Sequence, residues 1–470
     1  MQLFNTLTHK IEEFTPLNPP IVTFYSCGPT VYDFTHIGHM RTFVNNDVLK
    51  RSLNFLGYKV KHVINITDVG HLSSDADSGE DKMEKGAKKS NKTVWEVAQY
   101  YTDYFVKTIN ALNIVSPNVL CKATDNVTEM IELTKILVNK KFAYETKEAV
   151  YFDVAKFPKY GQLSQQKLED KLKGSREEVY VDSEKKNPAD FALWFKRVGR
   201  FANHTMHWNS PWGDGFPGWH IECSAMSMKC LGETIDLHSG GIDHIPVHHE
   251  NEIAQSEAAT GKQFVRYWVH FQFLMVDGKK MSKSLNNFYT LDDIIKHGID
   301  PLALRLLFLQ THYSQVMNFT WESVTAANDA FKNLKSIVLS LKSPSSLNAR
   351  TSLSQEKLSK IDDFRQQFIT AISNNLQTSQ ALAVMWSMLK SNIPSTDKLD
   401  LLYDFDLVFG LRLNEITEER IPDEILALKK DYEQSRQQKD FTKSDKIRKQ
   451  INDRGFEVRD TPSETILTKK

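Results

Sequence analysis

Three groups of residues in this 470-residue chain have types and spacings that could do chemistry. The first is His36-Ile37-Gly38-His39, where two imidazoles flank a glycine. Placed at the start of a helix, they can donate hydrogen bonds to a triphosphate that approaches the backbone closely. A histidine cap at His36 with a packed ring at His39 is the plainer reading of the same string. The second is Gly278-Lys279-Lys280-Met281-Ser282-Lys283-Ser284. Lys280 and Lys283, in a turn rich in small residues, can swing onto the β- and γ-phosphates of ATP as charge develops on departing pyrophosphate. Taken alone, such a turn also reads as a solvated loop. The third group is dispersed: Cys27, Cys223, His248 and Glu252. His248 and Glu252, four apart on one helix face, can share a metal, and two thiolates would complete a donor set that suits zinc. Four unrelated residues, two of them ordinary buried cysteines, remain the alternative.

The elements that must position these groups follow from local pattern. Ile21 to Cys27 is a β-branched and aromatic run that stops at Gly28-Pro29, which predicts a buried strand ending in a turn. Gly38 to Tyr58 carries apolar residues at helical spacing and ends near Gly57, and Lys59 to Thr67 reads as a parallel strand buried on both faces. Strand, loop, helix and strand predict an α/β core with a doubly wound parallel sheet. His36 and His39 then fall where open α/β sheets bind ligands. The polar stretch Gly70 to Lys92 is expected to be a loop, and Val94 to Leu112 a helix. Residues 119–205 mix short strands and helices, with a charged run at Lys167 to Glu178, and read as an insertion. Turn signals cluster at Ser210 to Gly218, ahead of a helix that carries Cys223. Asn318 to Leu411 is patterned as an all-α helical bundle, and Ile421 to Asn452 as basic helix ending at Gly455.

Composition excludes several classes. Fifty-nine basic against fifty-nine acidic side chains give a net charge of zero, which rules out a polycation while leaving local basic patches. With 25% charged and 11% aromatic residues, the chain is composed as an ordered protein. Four cysteines without a Cys-x-x-Cys pair do not make a disulfide framework. The N-terminus lacks a signal pattern and no long apolar run occurs, so a cytoplasmic protein without membrane contact is expected.

His36 to His39 and Lys280 to Ser284 match the two signatures of the class I aminoacyl-tRNA synthetases, which the chain therefore resembles. The resemblance narrows to the cysteinyl-tRNA synthetase family through three further segments: Tyr25-Ser26-Cys27-Gly28-Pro29-Thr30-Val31-Tyr32-Asp33, Gly218 to Met226, and His248-His249-Glu250-Asn251-Glu252. It spans nearly the whole chain. It implies a Rossmann-like catalytic domain over 1–118 and 206–265, an inserted connective subdomain over 119–205 and a region bearing the Lys280 loop over 266–317. A helical bundle over 318–412 and a small anticodon-binding domain over 413–470 would follow.

The resemblance further implies one Zn2+ per chain, held by Cys27, Cys223, His248 and Glu252, and Mg2+ carried with ATP. His36, His39, Lys280 and Lys283 would be the catalytic groups. Thr35, Gly38, Met281, Ser282 and Ser284 would join them around ATP, with Cys27, Gly28, Thr67, Trp219 and His238 around the amino acid. The basic segment Arg436 to Arg448 looks like the family's anticodon-reading region, with Phe441 or Phe456 as base-stacking surfaces. The expected reaction activates L-cysteine with ATP to cysteinyl-adenylate and transfers it to the terminal adenosine of tRNA(Cys), releasing pyrophosphate and AMP, on a monomer. Two rivals are a ligase that passes the same adenylate to a small amine and an inactive tRNA-binding paralogue. The helical bundle and basic C-terminal region argue against the first, the unaltered histidines and lysines against the second.

Overall fold

The structure, a computed structural model, describes residues 1–70, 72, 81–166, 182–343, 353–417, 422–460 and 465–469. The chain divides into two compact units, Met1–Asn414 and Glu415–Lys470. The expected features at Ser73 to Gly79 and Lys167 to Glu178 lie outside the described residues.

The first unit opens with a hairpin of β1 (Gln2–Asn5) and β2 (Lys10–Glu13), followed by β3 (Ile21–Ser26). Val22, Phe24 and Tyr25 of β3 are buried, as its run of branched and aromatic residues demands. Helix α1 (Ile37–Phe55) returns the chain to β4 (Lys59–Ile66). Helices α2 (Lys82–Ser90) and α3 (Val94–Ala111) lead to β5 (Val119–Lys122) and α4 (Val127–Asn139). Four antiparallel strands, β6 (Ala143–Glu145), β7 (Ala149–Phe152), β8 (Phe191–Lys196) and β9 (Gly215–Pro217), form a separate sheet. After them come α5 (Trp219–Leu231), β10 (Ile235–Gly241), α6 (His248–Thr260) and β11 (Val265–Phe271).

The central sheet runs β11-β10-β3-β4-β5, all neighbours parallel. The chain leaves β3 towards β4 on one side and later fills β10 on the other. The carboxyl ends of β3 and β10 therefore flank the point where strand order reverses, the place where doubly wound sheets receive ligands.

Three expectations about the first unit need correction. The stretch 70–92 is not all loop: Asp81 caps α2, accepting from the Glu84 N–H at 2.8 Å, and Met83 is fully buried. A single apolar anchor among lysines gives too weak a periodicity to read as a helix. The central sheet also overruns both expected boundaries, because β5 falls inside 119–205 and β11 inside 266–317, while β9, from the 206–265 segment, joins the inserted sheet. Asn318 lies not in a helix but in a strand.

That strand is β14 (Met317–Phe319), which with β12 (Leu274–Val276) and β13 (Lys279–Lys280) forms a three-stranded sheet that carries the Lys280 loop. Between β13 and β14 lie α7 (Leu291–Lys296) and α8 (Pro301–Leu309); beyond them, α9 (Trp321–Lys342), α10 (Gln355–Ser373), α11 (Thr378–Lys390) and α12 (Ser395–Phe409) are helical as patterned. Buried Arg41 of α1 donates from Nη1 to the carbonyls of Gln272 and Phe273 and from Nη2 to those of His312 and Gln315, so its two terminal nitrogens are paired out of water and tie α1 to the segments around this small sheet.

The second unit pairs α13 (Asp423–Gln437) and α14 (Phe441–Asp453) with a hairpin of β15 (Phe456–Asp460) and β16 (Thr465–Lys469). Ile425, Tyr432, Ile447, Ile451, Phe456 and Val458 make its core. Phe456 is thus a core residue and not an exposed stacking surface, whereas Phe441 is 55% exposed.

Candidate active site and metal centre

Cys27 immediately follows β3, and its N–H donates to the Ser239 carbonyl of β10 at 3.1 Å, which fixes it at the switch point. The next residue must be glycine: a Cβ at Gly28 would stand 1.6 Å from the Asn65 carbonyl oxygen. Its N–H donates to Asn65 Oδ1 at 2.7 Å, closing the turn against the end of β4. Cys223 sits in the first turns of α5, and His248 and Glu252 occupy one face at the start of α6. The ligand atoms of Cys27, Cys223, His248 and Glu252 all lie within 4.8 Å of one another, and all four residues are buried.

The charges in this pocket are mutually set. The Cys27 thiol hydrogen-bonds the Cys223 sulfur and brings Cys223 down to about 6, against the opposing effect of burial. Burial and the adjacent Cys223 sulfur push Cys27 up. Burial lowers His248, but Cys223 and Glu252 outweigh it and carry the imidazole up to about 10. For Glu252 burial works upward, yet His238 and His248 hold the carboxylate at about 2. Glu252 Oε1 lies 3.1 Å from His248 Nε2, yet accepts no well-directed hydrogen bond. Two sulfurs, an imidazole and a carboxylate with a spare lone pair, held together away from water, form a donor set that could hold a metal ion.

A second quartet, Cys27, His238, His249 and Glu252, also converges within 4.8 Å. Its nitrogens are more fully engaged. His249 Nε2 meets Cys27 Sγ at 3.3 Å and Nδ1 meets His270 Nε2 at 2.7 Å, while His270 Nδ1 reaches Thr6 Oγ1 at 2.8 Å. His238 Nε2 is 2.9 Å from Glu252 Oε2. Those partners orient the cluster, and the quartet with two sulfurs is the better metal set. Sequence reasoning missed His249, His220 and Glu222. The His248-His249 doublet was a signal, but adjacent helical residues diverge, and only the fold shows both turned towards Cys27.

The other expected substrate contacts surround this pocket. Trp219 stacks obliquely on His248 with centroids 4.3 Å apart. Thr67, at the end of β4, donates to Glu222 Oε2 at 2.9 Å. His238 is fully buried beside Glu252.

The two signature loops meet as well. His36 is the N-cap of α1, and its Nδ1 accepts from the N–H groups of Gly38 at 3.1 Å and His39 at 3.3 Å. Capping does not compete with phosphate binding: an accepting Nδ1 assigns the proton to Nε2, which stays a donor. The rings of His36 and His39 stack with centroids 3.6 Å apart. Burial and the neighbouring ring bring His36 down to about 2. His39 is exposed, yet the protein packed around its ring lowers it to about 4, against the pull of Asp243 and Asp33. Both are therefore neutral donors at neutral pH. A Cβ at Gly38 would meet His36 Cε1 at 2.9 Å and the Met281 methyl at 3.3 Å, so Met281 lies directly over the glycine. Lys283 forms an ion pair with Asp33, and Ile37 N–H donates to the Tyr289 carbonyl at 3.0 Å. Thr35 is buried, while Lys280, Lys283 and Ser284 are exposed on the loop. Ser282 caps its short 3-10 turn.

Residues 13–329 match the family model of the class I (C) tRNA synthetase catalytic domain. A cysteine-tRNA ligase of Treponema denticola is 42% identical over 492 aligned positions, covering 100% of this chain and 99% of that protein. The chain belongs to the cysteine-tRNA ligase family. Another member, from Thermus thermophilus, is 41% identical and covers 98% of this chain and 97% of its own. Among solved structures, methionyl-tRNA synthetase of Mycobacterium tuberculosis with methionyl-adenylate aligns with a TM-score of 0.58 at 14% identity, covering 83% of this chain and 90% of that one. That likeness is one of fold. Among the described residues, no helix is long and apolar enough to cross a membrane.

Proposed function

We propose that this member of the cysteine-tRNA ligase family activates L-cysteine with ATP and transfers it to the terminal adenosine of tRNA(Cys). The observation that carries the reading is the convergence of Cys27, Cys223, His248 and Glu252 beside the helix that begins at His36. Those four residues would hold one Zn2+. Bound there, zinc supplies a thiophilic site that accepts a substrate thiolate and disfavours the hard hydroxyl of serine. Losing that bond is enough to reject serine by several powers of ten without an editing site.

In the first step an oxygen of the cysteine carboxylate attacks the α-phosphorus of Mg2+-bound ATP in line, and pyrophosphate leaves. The ammonium groups of Lys280 and Lys283 neutralise the charge that grows on the β- and γ-phosphates. Neutral His36 and His39 donate from Nε2 to phosphate oxygens. Trp219, Thr67 and His238 wall the amino-acid pocket and hold water out of it. In the second step the 2′-hydroxyl of the terminal adenosine attacks the adenylate carbonyl, and AMP leaves. No protein nucleophile takes part, since positioning and electrostatics supply the rate.

The C-terminal unit would read the anticodon. Arg436, Lys439, Lys443, Lys446 and Lys449 are exposed there, and Arg436 lies 5.3 Å over the exposed Phe441 ring, a pairing suited to phosphate contact and base stacking. Four free cysteines support a cytoplasmic setting, where the enzyme would act as a monomer.

Exchange of labelled pyrophosphate into ATP that depends on cysteine, fails with serine and tracks zinc content tests the activation step, and charging of purified tRNA(Cys) tests the transfer. Exchange at equal rates with both amino acids would overturn the reading.

A further inference from the structure

Cys121 and Cys230 take no part in the chemistry above, yet they are not scattered. Cys121 lies in β5, the outermost strand of the central sheet, and Cys230 in the last turn of α5, and their Sγ atoms are 3.9 Å apart. Cys121 is 6% exposed, whereas Cys230 is half-buried, so a small oxidant reaches Cys230 first.

The surroundings divide the two thiols by role. Asn126 Nδ2 donates to Cys121 Sγ at 3.2 Å and to the Lys122 carbonyl at 2.6 Å, which holds Cys121 in place. Lys61 Nζ donates to the Cys230 carbonyl at 2.6 Å, and Lys229 Nζ sits between Glu129 and Asn126 beside the pair. The hydrogen bond shared with the Cys121 sulfur, with Lys229 and Lys61, outweighs burial and brings Cys230 to about 7. The same contact, with burial, raises Cys121. A half-exposed thiolate beside a shielded thiol is the arrangement of an attacking and a resolving cysteine.

We propose that Cys121 and Cys230 form a peroxide-sensitive dithiol that closes to a reversible disulfide, stapling the C-terminal end of α5 to β5. The Cys230 thiolate attacks one oxygen of hydrogen peroxide, the O–O bond breaks, and Cys230 becomes a sulfenic acid while hydroxide departs. That hydroxide takes the Cys121 proton, and the Cys121 sulfur displaces hydroxide from the sulfenic sulfur. The displaced hydroxide takes up the proton that Cys230 gave to solvent on ionising, so two thiols are oxidised and one peroxide is reduced to two waters. Closure brings the sulfurs from 3.9 Å to about 2.05 Å, a movement on the scale of side-chain rotation. Cys223 and Cys230 are two turns apart on one face of α5, so the staple would fix the helix that presents the candidate metal ligand.

The test uses the full-length, zinc-supplemented protein. It is exposed to hydrogen peroxide, denatured in N-ethylmaleimide and weighed intact. The oxidised protein should carry two adducts instead of four, with a Cys121-Cys230 cross-linked peptide identified by tandem mass spectrometry. Dithiothreitol should restore four. In Cys121→Ser the cross-link should vanish and dimedone should trap the Cys230 sulfenic acid; in Cys230→Ser neither product should form. Four adducts after oxidation would overturn the proposal. A cross-link confined to Cys27 and Cys223, or a Cys230 sulfinic acid in the wild type without a cross-link, would do the same. The wild-type result decides even where a variant folds poorly, and it stands apart from whether cysteine is the substrate.

Discussion

The ammonium of Lys283 is ion-paired to the carboxylate of Asp33, which fastens the Lys280-to-Ser284 loop onto the loop that leaves β3. Asp33 therefore occupies a partner position that the β- and γ-phosphates would claim during adenylation. The Lys283 side chain is 57% exposed, so the pair is worth at most about 1 kcal/mol and is weak enough for a triphosphate to displace under the proposed mechanism.

Replacing Lys283 with Ala should slow cysteine-dependent exchange by roughly 10² to 10³, because one charge donor to the transition state is lost. Cysteine binding, measured separately, should change little. Asp33→Asn frees the ammonium and should leave the lysine step intact. Equal losses in activation and in cysteine binding for Lys283→Ala would indicate misfolding and remove the assigned role.

Cys223→Ser should lower bound zinc well below one per chain, and cysteine activation should fall with it, since a hydroxyl is a poor replacement for a thiolate on zinc. Metal analysis of the purified variant beside its exchange rate is the check. Full metal stoichiometry in the variant would exclude Cys223 from the site.

Gly38→Ala separates stability from activity. The helix preference of alanine is offset by the His36 cap that its methyl displaces, each worth about 1 kcal/mol, so the melting temperature should change little. The new methyl would press on His36 at 2.9 Å and on Met281 at 3.3 Å, displacing both signature loops. Exchange should drop on the order of 10²-fold. Unchanged activity would show that the loops do not need this close approach.

His62 is buried, bonded to Ser26 Oγ at 2.9 Å and stacked on Phe24 at 4.3 Å between centroids, and burial drives its pKa well below 6.5. The folded chain keeps it neutral while the unfolded chain takes up a proton below about 6.5, so the unfolded state binds more protons there. Stability is thus insensitive to this group above that pH and falls as pH drops towards the folded value. The slope approaches about 1.4 kcal/mol per pH unit. Urea unfolding at pH 7.5 and pH 5 should show a shallower acid loss for His62→Gln than for the wild type. Identical losses would mean that the folded state already carries the proton.

Much of the site was legible because its parts are local. A strand of branched and aromatic residues stopping at Gly28-Pro29, followed by His36 to His39 at a helix start, is set by propensity and spacing within a few turns of chain. The Lys280 to Ser284 loop is equally self-contained. Helix α2 was not legible, since Met83 alone anchors it, and neither was the fate of Phe456, because an aromatic side chain looks the same in sequence whether it is buried or exposed. The short β5 was read as part of an insertion because strand membership is decided by pairing across the sheet, which four residues cannot announce.

What the sequence determined by itself was chemical: which side chains could donate to phosphate, which could bind a soft metal, and which local elements would carry them. Whether those side chains act together was decided by tertiary structure. Cys27, Cys223, His248 and Glu252 share one pocket because β10 returns beside β3, on the side opposite β4, and α5 and α6 present their first turns to that edge. Local spacing limits which face a residue occupies, but burial of the whole sheet between helices selects the strand order. That order is what brings distant thiols, an imidazole and a carboxylate within 4.8 Å.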